Sequence, residues 1–312
     1  MDILCVGEMV IDFLPGGEGI YIRKPGGAPA NVAVAMARQG RTSAFCGTVG
    51  NDDFGRFLLH TLEENSVKPL VRLVDEAITT MAFVSLKPDG DRSFTFARKP
   101  GADMFLTEKD ISDADIDGYA IVHAGSCSLS RLSASAATEY ALKSAGEKGK
   151  LVSFDVNYRD LLWNGDRAAA GEAVRKILPC VDLLKISEEE TDLVGGEEEL
   201  SKLRDRFGIS VVVETLGSKG ARCFFNGGVI ESSAIVSECV DATGAGDAFW
   251  GGFLSHLLNC GVREVSALDE KLLQTAMDKG NIAGAYCIRK KGAMESLPTQ
   301  EEIAAFERGF QS

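Results

Sequence analysis

Residues 240–252 read VDATGAGDAFWGG, a glycine-rich turn followed by an apolar run at helical spacing. Gly244, Ala245 and Gly246 carry no bulky side chain, so the pattern predicts that their backbone N–H groups lie bare at the positive end of a helix. Such a helix start is suited to an anion, above all a phosphate. Asp247 stands in the first turn, where a carboxylate would repel a phosphate unless it had another task. That task would be to accept the proton of a hydroxyl group that attacks phosphorus.

The same stretch could also be a capped helix whose small residues allow close packing. It does not fit two common phosphate-binding motifs. Phe249 stands where a dinucleotide fingerprint needs a small residue, and no lysine follows the glycines as a Walker-type loop requires. The order Asp-x-Thr-Gly-Ala-Gly-Asp instead resembles the C-terminal signature of the ribokinase-like sugar kinases, the PfkB family.

A second motif, GGAPANVA at residues 26–33, precedes a predicted helix. Gly26 and Gly27 would let the backbone approach a ligand closely. Asn31 would offer an amide that both donates and accepts, as a sugar diol requires. An ordinary loop-to-helix junction would look similar. The motif nevertheless resembles the N-terminal PfkB signature, and two signatures in the family's order identify the chain as a member.

The fold class follows from alternating strands and helices. Short apolar strands are predicted at 120–124, 151–156, 182–186 and 210–215, with amphipathic helices between them. This alternation predicts an α/β fold with a mainly parallel central sheet buried on both faces. The resemblance implies a single ribokinase-like domain over residues 1–312.

A period of two indicates a separate small sheet. Segments 81–86 and 92–98 form a predicted hairpin around a turn at 88–91, and segments 20–24 and 70–74 are expected to join it. The resemblance makes this sheet a lid formed near residues 12–24 and 70–100. A thin sheet with one apolar face needs cover. We therefore expect it to pack on substrate or on the same sheet of a second copy of the chain, and the second case predicts a homodimer.

Composition limits the partners. The 312 residues include 33 Lys and Arg against 46 Asp and Glu, a net charge of −13. This balance argues against nucleic acid and anionic membranes as partners. No apolar run approaches the roughly 18 residues of a membrane span. The eight cysteines are scattered, which suits reduced thiols, and the first residues read as a buried strand; both features favour a cytoplasmic protein.

Residues around the sugar come from three places. Asp12 follows the first strand, where open α/β sheets place ligands. Arg159 ends the segment FDVNYR, residues 154–159, which resembles the fructokinase branch of the family and its ketodeoxygluconate-kinase relatives. A surface Arg–Asp pair would explain the segment about as well. Arg98 lies in a segment that looks like the fructokinase lid, where it would reach the substrate or brace the lid.

The resemblance also implies ATP, Mg²⁺ and K⁺. Glu190 would act on Mg²⁺ through water, although Ser187 stands where relatives carry Asn and three acids at a helix start are favourable by themselves. Asp241 and Thr243 would hold K⁺, completed by the loop at 291–293. The ATP contacts implied are Lys185, Thr215, Gly217, Gly220, Gly246 and Asn281.

The activity expected from the resemblance is ATP-dependent phosphorylation of the primary hydroxyl group of a neutral sugar, with fructose as the substrate. Asp12 and Asn31 suit a neutral polyol, because a carboxylate would repel a sugar acid. Arg98 and Arg159 keep 2-keto-3-deoxygluconate open as the substrate, and a nucleoside or riboside also remains open. A non-catalytic sugar sensor is the alternative from another class.

Overall fold

The computed structural model describes residues 1–86, 92–196 and 200–309. Its strands are β1 (Ile3–Val6), β2 (Val10–Gly17), β3 (Ile20–Gly26), β4 (Ser43–Gly50), β5 (Lys68–Val74), β6 (Met81–Leu86), β7 (Arg92–Ala97), β8 (Ile121–Gly125), β9 (Leu151–Asp155), β10 (Leu183–Ser187), β11 (Val211–Thr215), β12 (Ala221–Phe225) and β13 (Gly228–Ser232). Its α-helices are α1 (Ala28–Arg38), α2 (Asp53–Glu64), α3 (Glu108–Asp113), α4 (Leu132–Glu147), α5 (Arg167–Ile177), α6 (Thr191–Val194), α7 (Leu200–Phe207), α8 (Ala245–Asn259), α9 (Glu270–Cys287) and α10 (Gln300–Arg308).

Within these ranges, nine strands form one sheet in the order β13-β12-β11-β10-β9-β8-β1-β4-β5. The pairs from β5 to β11 are parallel, and only the β11–β12 and β12–β13 pairs at one edge are antiparallel. The mainly parallel sheet predicted from the sequence is thus confirmed, as are the strands predicted near 120, 151, 182 and 210.

Both faces of this sheet are buried, each under its own set of helices. Successive side chains of a strand point to opposite faces and therefore enter different cores. In β1, Ile3 and Cys5 join the core under α1, α2, α8 and α9, whereas Leu4 and Val6 join the core under α3 to α7. The eight cysteines, all within the described chain, are free thiols. Among the helices that the structure describes, none is long and apolar enough to cross a membrane.

The small sheet, called the lid sheet below, has the strand order β3-β2-β6-β7 in the described residues. The predicted hairpin of β6 and β7 is confirmed, while its turn at 88–91 lies outside the described residues. The assignment of 70–74 to this sheet was wrong, because β5 pairs in parallel with β4 at the edge of the large sheet. An edge strand shows the same two-residue period as a lid strand, so periodicity alone could not separate them. Strand β2 takes the fourth place instead.

Candidate active site

The predicted phosphate-binding turn opens α8. Gly244 caps the helix with φ 81°, a left-handed conformation that favours glycine, and a Cβ there would lie 3.0 Å from Ala293. The N–H of Ala245 donates to the carbonyl of Ala242 at 3.2 Å, so this amide has an acceptor within the turn, contrary to the expectation that it lies bare. Gly246 and Asp247 follow in the first turn, where amides have no acceptor four residues earlier in the helix.

Asp241 braces the segment that leads into α8. Its carboxylate accepts hydrogen bonds from the Thr243 amide at 3.0 Å, the Thr243 hydroxyl at 2.6 Å and the Gly292 amide at 3.1 Å. The structure therefore brings together the three places predicted to surround K⁺. Asp241 is buried, and its hydrogen bonds hold the 241–243 segment against the loop at Gly292.

Asp247 is fixed by the packing of α1 against α8. Gly251 allows the close approach, since a Cβ there would lie 2.5 Å from the Ala35 side chain. One helical turn earlier on each helix, the Asn31 amide nitrogen donates to Asp247 Oδ2 at 2.7 Å. Burial, and secondarily the charge of Asp155, raises the pKa of Asp247 to about 6, against the effect of Asn31, which lowers it. A buried carboxylate with a raised pKa at a helix start is suited to general-base chemistry.

The side of the site that was predicted to bind the sugar is shaped by two glycines. Asp12 lies on β2 opposite Lys24 of β3, so it belongs to the lid sheet rather than to the end of β1. A Cβ on Gly26 would stand 2.1 Å from Asp12 Oδ2, and a Cβ on Gly27, which has φ 110°, would stand 2.5 Å from the Glu8 carbonyl oxygen. Neither glycine can gain a side chain without moving this site.

Two arginines predicted to bind substrate have different surroundings. Arg159 is exposed and donates to the Tyr158 carbonyl. Its charge acts on Asp12, whose pKa burial raises to about 6 and Arg159 lowers, and also on Asp247. Arg98 is buried and donates to Asp103 Oδ2 from Nε at 2.9 Å and from Nη2 at 2.6 Å. This ion pair favours the bracing role considered for Arg98.

Sequence reasoning missed the partners that hold this part of the site. Asp103, five residues after Arg98, also accepts a hydrogen bond from Thr80, which ties the two ends of the β6–β7 hairpin together. Glu8 accepts from the Ala28 amide at 3.2 Å, at the start of α1. The available signal was an acid two residues after the buried strand β1, in the place where ligand-binding loops begin.

A cavity of about 450 Å³ adjoins the start of α8 on its other side. It is lined by five of the residues predicted to contact ATP, namely Thr215, Gly217, Gly220, Gly246 and Asn281. The Asn281 amide nitrogen itself donates to the Ser232 hydroxyl at 2.7 Å. Val236, Phe249 and Ile288 contribute an apolar wall that was not predicted. Val236 gave no signal because residues 233–239 form neither helix nor strand and carry no motif.

The sixth predicted ATP contact, Lys185, lies beneath the turn. Its Nζ is 2.8 Å from Asp155 Oδ2. A Cβ on Gly246 would lie 3.2 Å from the same Nζ atom. Glu190 is buried nearby and accepts from the amides of Tyr158 at 2.6 Å and Ser187 at 2.9 Å. Ser187 thus caps the short helix that presents Glu190.

A larger cavity, of about 520 Å³, lies between 74–78 and 96–100. Of the predicted site residues in the described chain, it touches Arg98 alone. The larger volume therefore does not identify the site. The buried carboxylate of Asp247 at the start of α8 makes the smaller cavity part of the candidate active site. No cluster of three or more His, Cys, Asp and Glu side chains able to hold a metal ion occurs in the parts of the chain that are described.

Comparisons with known proteins identify the family and the fold. The pfkB family carbohydrate kinase model matches residues 2–300. Fructokinase-1 of Oryza sativa subsp. japonica is 37% identical over 316 residues, covering 96% of this chain and 96% of that protein. The ATP-bound fructokinase of Xylella fastidiosa superposes with a TM-score of 0.92 at 29% identity, over 100% and 99% of the two chains. The fructokinase of Vibrio cholerae O395, bound to fructose, ADP and calcium, superposes with a TM-score of 0.88 at 36% identity, over 98% of each chain.

Proposed function

Because the chain belongs to the PfkB family of carbohydrate kinases and has its ribokinase-like fold, we propose that it is an ATP-dependent fructokinase that forms fructose 6-phosphate. The observation that carries this proposal is Asp247, a buried carboxylate held by Asn31 at the start of α8, beside a cavity large enough for a nucleotide. The 37% identity to a plant fructokinase supports fructose as the acceptor.

In the proposed reaction, Asp247 accepts the proton of the primary hydroxyl group of the sugar. The sugar oxygen forms a bond to the γ-phosphorus as the bond between that phosphorus and the β–γ bridging oxygen breaks, and ADP leaves with the electron pair. Asp12, Asn31 and the backbone at Gly26 and Gly27 orient the sugar for this attack. Positioning and charge stabilisation supply most of the catalysis in phosphoryl transfer.

The start of α8 would stabilise the transferring group. Backbone amides of the 244–246 turn would donate to the negative charge that develops there, and such donors are each worth about 3 kcal/mol in comparable sites. The Ala245 amide would have to give up the Ala242 carbonyl as its acceptor and donate to a phosphate oxygen instead. The Lys185 ammonium lies next to Gly246, where it would add a positive charge.

Mg²⁺ would be held mainly by the phosphates of ATP. The described residues offer no three-ligand cluster, and both oxygens of Glu190 already accept backbone amides. Each carboxylate oxygen keeps a further lone pair, so Glu190 fits a role toward the water ligands of the ion. Bound there, Mg²⁺ would neutralise phosphate charge.

K⁺ is proposed beside the 241–243 segment, where it would hold the phosphate-binding turn in one conformation. We expect turnover to rise when K⁺ replaces tetramethylammonium at constant ionic strength, because the organic cation is too large for the loop. Initial rates over a K⁺ titration measure the effect. Equal rates in the two salts would contradict the proposal.

Substrate choice is tested by kcat/KM for fructose, ribose, a riboside, 2-keto-3-deoxygluconate and fructose 1-phosphate under identical conditions. We expect fructose to have the highest value. Asp103 neutralises Arg98, and Arg159 faces Asp12, so both cations considered for a sugar acid are opposed by carboxylates. A competitor preferred by about tenfold, or 1.4 kcal/mol of transition-state binding, would show that the acceptor is not fructose. Absence of turnover with every sugar would favour the sensor.

A homodimer through the lid sheet is also proposed. The outer strand β3 exposes Ile20, Tyr21 and Ile22 at 58%, 48% and 46%, and an apolar sheet edge of this kind favours association. We expect light scattering to give twice the chain mass and Ile20→Lys to give the monomer. Val229→Lys is the matched control, since Val229 is 51% exposed on the outer strand β13 of the large sheet. A monomeric parent protein with full activity would contradict the dimer.

A further inference from the structure

Asp155 and Lys185 form a buried ion pair beneath the start of α8. They are register partners on the parallel strands β9 and β10, so their side chains lie on the same sheet face. Their side chains are 2% and 6% exposed, and Nζ and Oδ2 are 2.8 Å apart. Two residues earlier on β9, Ser153 accepts a hydrogen bond from the Trp250 indole of α8 at 2.9 Å. This contact fixes α8 over the pair.

One ammonium group therefore serves two carboxylates. Lys185 lowers the pKa of Asp247 and Asp155 raises it, which places both charges within electrostatic range of the base. The Lys185 hydrogen bond goes to Asp155, while Asp247 is bonded to the neutral amide of Asn31. Among the described residues, Asp247 thus forms no direct ion pair, although the Lys185 ammonium lies close by.

Stability does not account for this pair. Replacing a buried ion pair by apolar side chains of similar volume is often neutral or stabilising. Asp155 Oδ1, moreover, is buried with no hydrogen-bond partner among the described residues, and such an oxygen costs about 1–3 kcal/mol. A costly charge pair directly beneath the phosphate-binding turn points to a role in the reaction.

We propose that Asp155 is a positioning residue that holds the Lys185 ammonium against Gly246, on the phosphate side of the turn, and keeps it from pairing with Asp247. This arrangement gives the transferring phosphoryl group a fixed positive charge and leaves Asp247 able to accept the proton. The inference rests on the proposed kinase function and extends it to a residue that would not itself touch substrate.

Other titratable groups face Asp247 and Lys185. Asp247 is also faced by Arg159, from the loop after β9, and by Cys287 of α9, a thiol whose pKa burial raises to about 12 and which stays neutral. Lys185 is also faced by Glu190 and by His123, whose pKa burial lowers to about 3, so that this imidazole is neutral.

The test is the pH dependence of kcat at saturating fructose and MgATP, which avoids the titration of Asp12 in the free enzyme. In Asp155→Asn a negative charge is lost and Lys185 is free to pair with Asp247, so the pKa of Asp247 should fall. The acidic limb of the kcat profile should therefore move to lower pH. In Lys185→Met the two carboxylates lose their shared cation, so the limb should move to higher pH. Both variants should lose about 10- to 100-fold in the plateau kcat. Lys185→Arg, which keeps the charge, should leave the limb in place.

The opposite displacements separate this role from damage to the fold, which would lower kcat without moving the two limbs apart. Asp182→Asn is the matched control, because Asp182 is a half-buried acid that precedes β10 at the far end from the site. If a single variant does not fold, the double variant Asp155→Asn/Lys185→Met removes the pair as a unit and leaves no unpaired charge. A parent-like plateau kcat in that double variant would overturn the proposal.

Asp247→Asn is measured alongside. Retained turnover in that variant would overturn the general-base function itself. Loss of turnover in Asp247→Asn, combined with limbs that do not move in opposite directions in the other two variants, would overturn the role of Asp155 alone.

Discussion

Asp247→Asn is expected to lower kcat at saturating fructose and MgATP by at least about 100-fold, the usual loss when a general base is removed. The amide that replaces the carboxylate keeps its size and can still meet Asn31 after rotation, so the fold and the nucleotide cavity should be retained. Calorimetric binding of ADP should therefore change little. Asp53→Asn is the control, since Asp53 is an exposed acid at the start of α2.

The pH profile of the parent enzyme gives a second reading of the same residue. Burial raises the pKa of Asp247 to about 6, so the carboxylate is protonated, and unable to accept a proton, below that pH. We expect kcat to fall about tenfold per pH unit on the acidic side of this value. Turnover of Asp247→Asn within a few-fold of the parent would show that another group takes the proton.

Much of this site could be predicted because its residues follow local rules. The turn before α8 needs small residues, and the helix that follows is apolar at regular spacing, so residues 240–252 indicated both the helix and its position in the site. Strands β8 to β11 were predicted within one or two residues because a strand buried on both faces is a short continuous apolar run. These signals lie in consecutive residues and require no knowledge of tertiary contacts.

The parts that could not be predicted depend on contacts between distant segments. Strand β5 resembles a lid strand in its period, and only its pairing with β4 places it in the large sheet. The bracing of Arg98 depends on Asp103, and the pairing of Lys185 depends on Asp155, thirty residues away on the neighbouring strand. Charge partners of this kind are set by strand register and helix packing, which a single sequence does not show.

Gly26→Ala is expected to lower kcat/KM for fructose by about 10- to 100-fold, while leaving nucleotide binding unchanged. The added Cβ would lie 2.1 Å from Asp12 Oδ2 and 3.0 Å from its Cγ, so the carboxylate has to rotate away from its present position. Loss of one hydrogen bond to a charged group costs about 1.5–3 kcal/mol, which corresponds to that range of rates. The effect should appear mainly in KM for the sugar, because the proposed role of Asp12 is to orient the acceptor and not to bind the phosphates.

The same position allows a sharper comparison, because Gly26→Ala should act through a single carboxylate. Asp12→Asn alone should reproduce most of the loss, and the double variant should be little worse than either single variant, since residues that share one interaction are not additive. Gly146→Ala is the control, because a Cβ at that helix position would meet no atom within 4 Å. Steady-state kinetics on the four variants and the parent decide the matter. Fully additive losses would mean that Gly26 acts on the sugar through its own backbone, and that the carboxylate of Asp12 is not what the glycine protects.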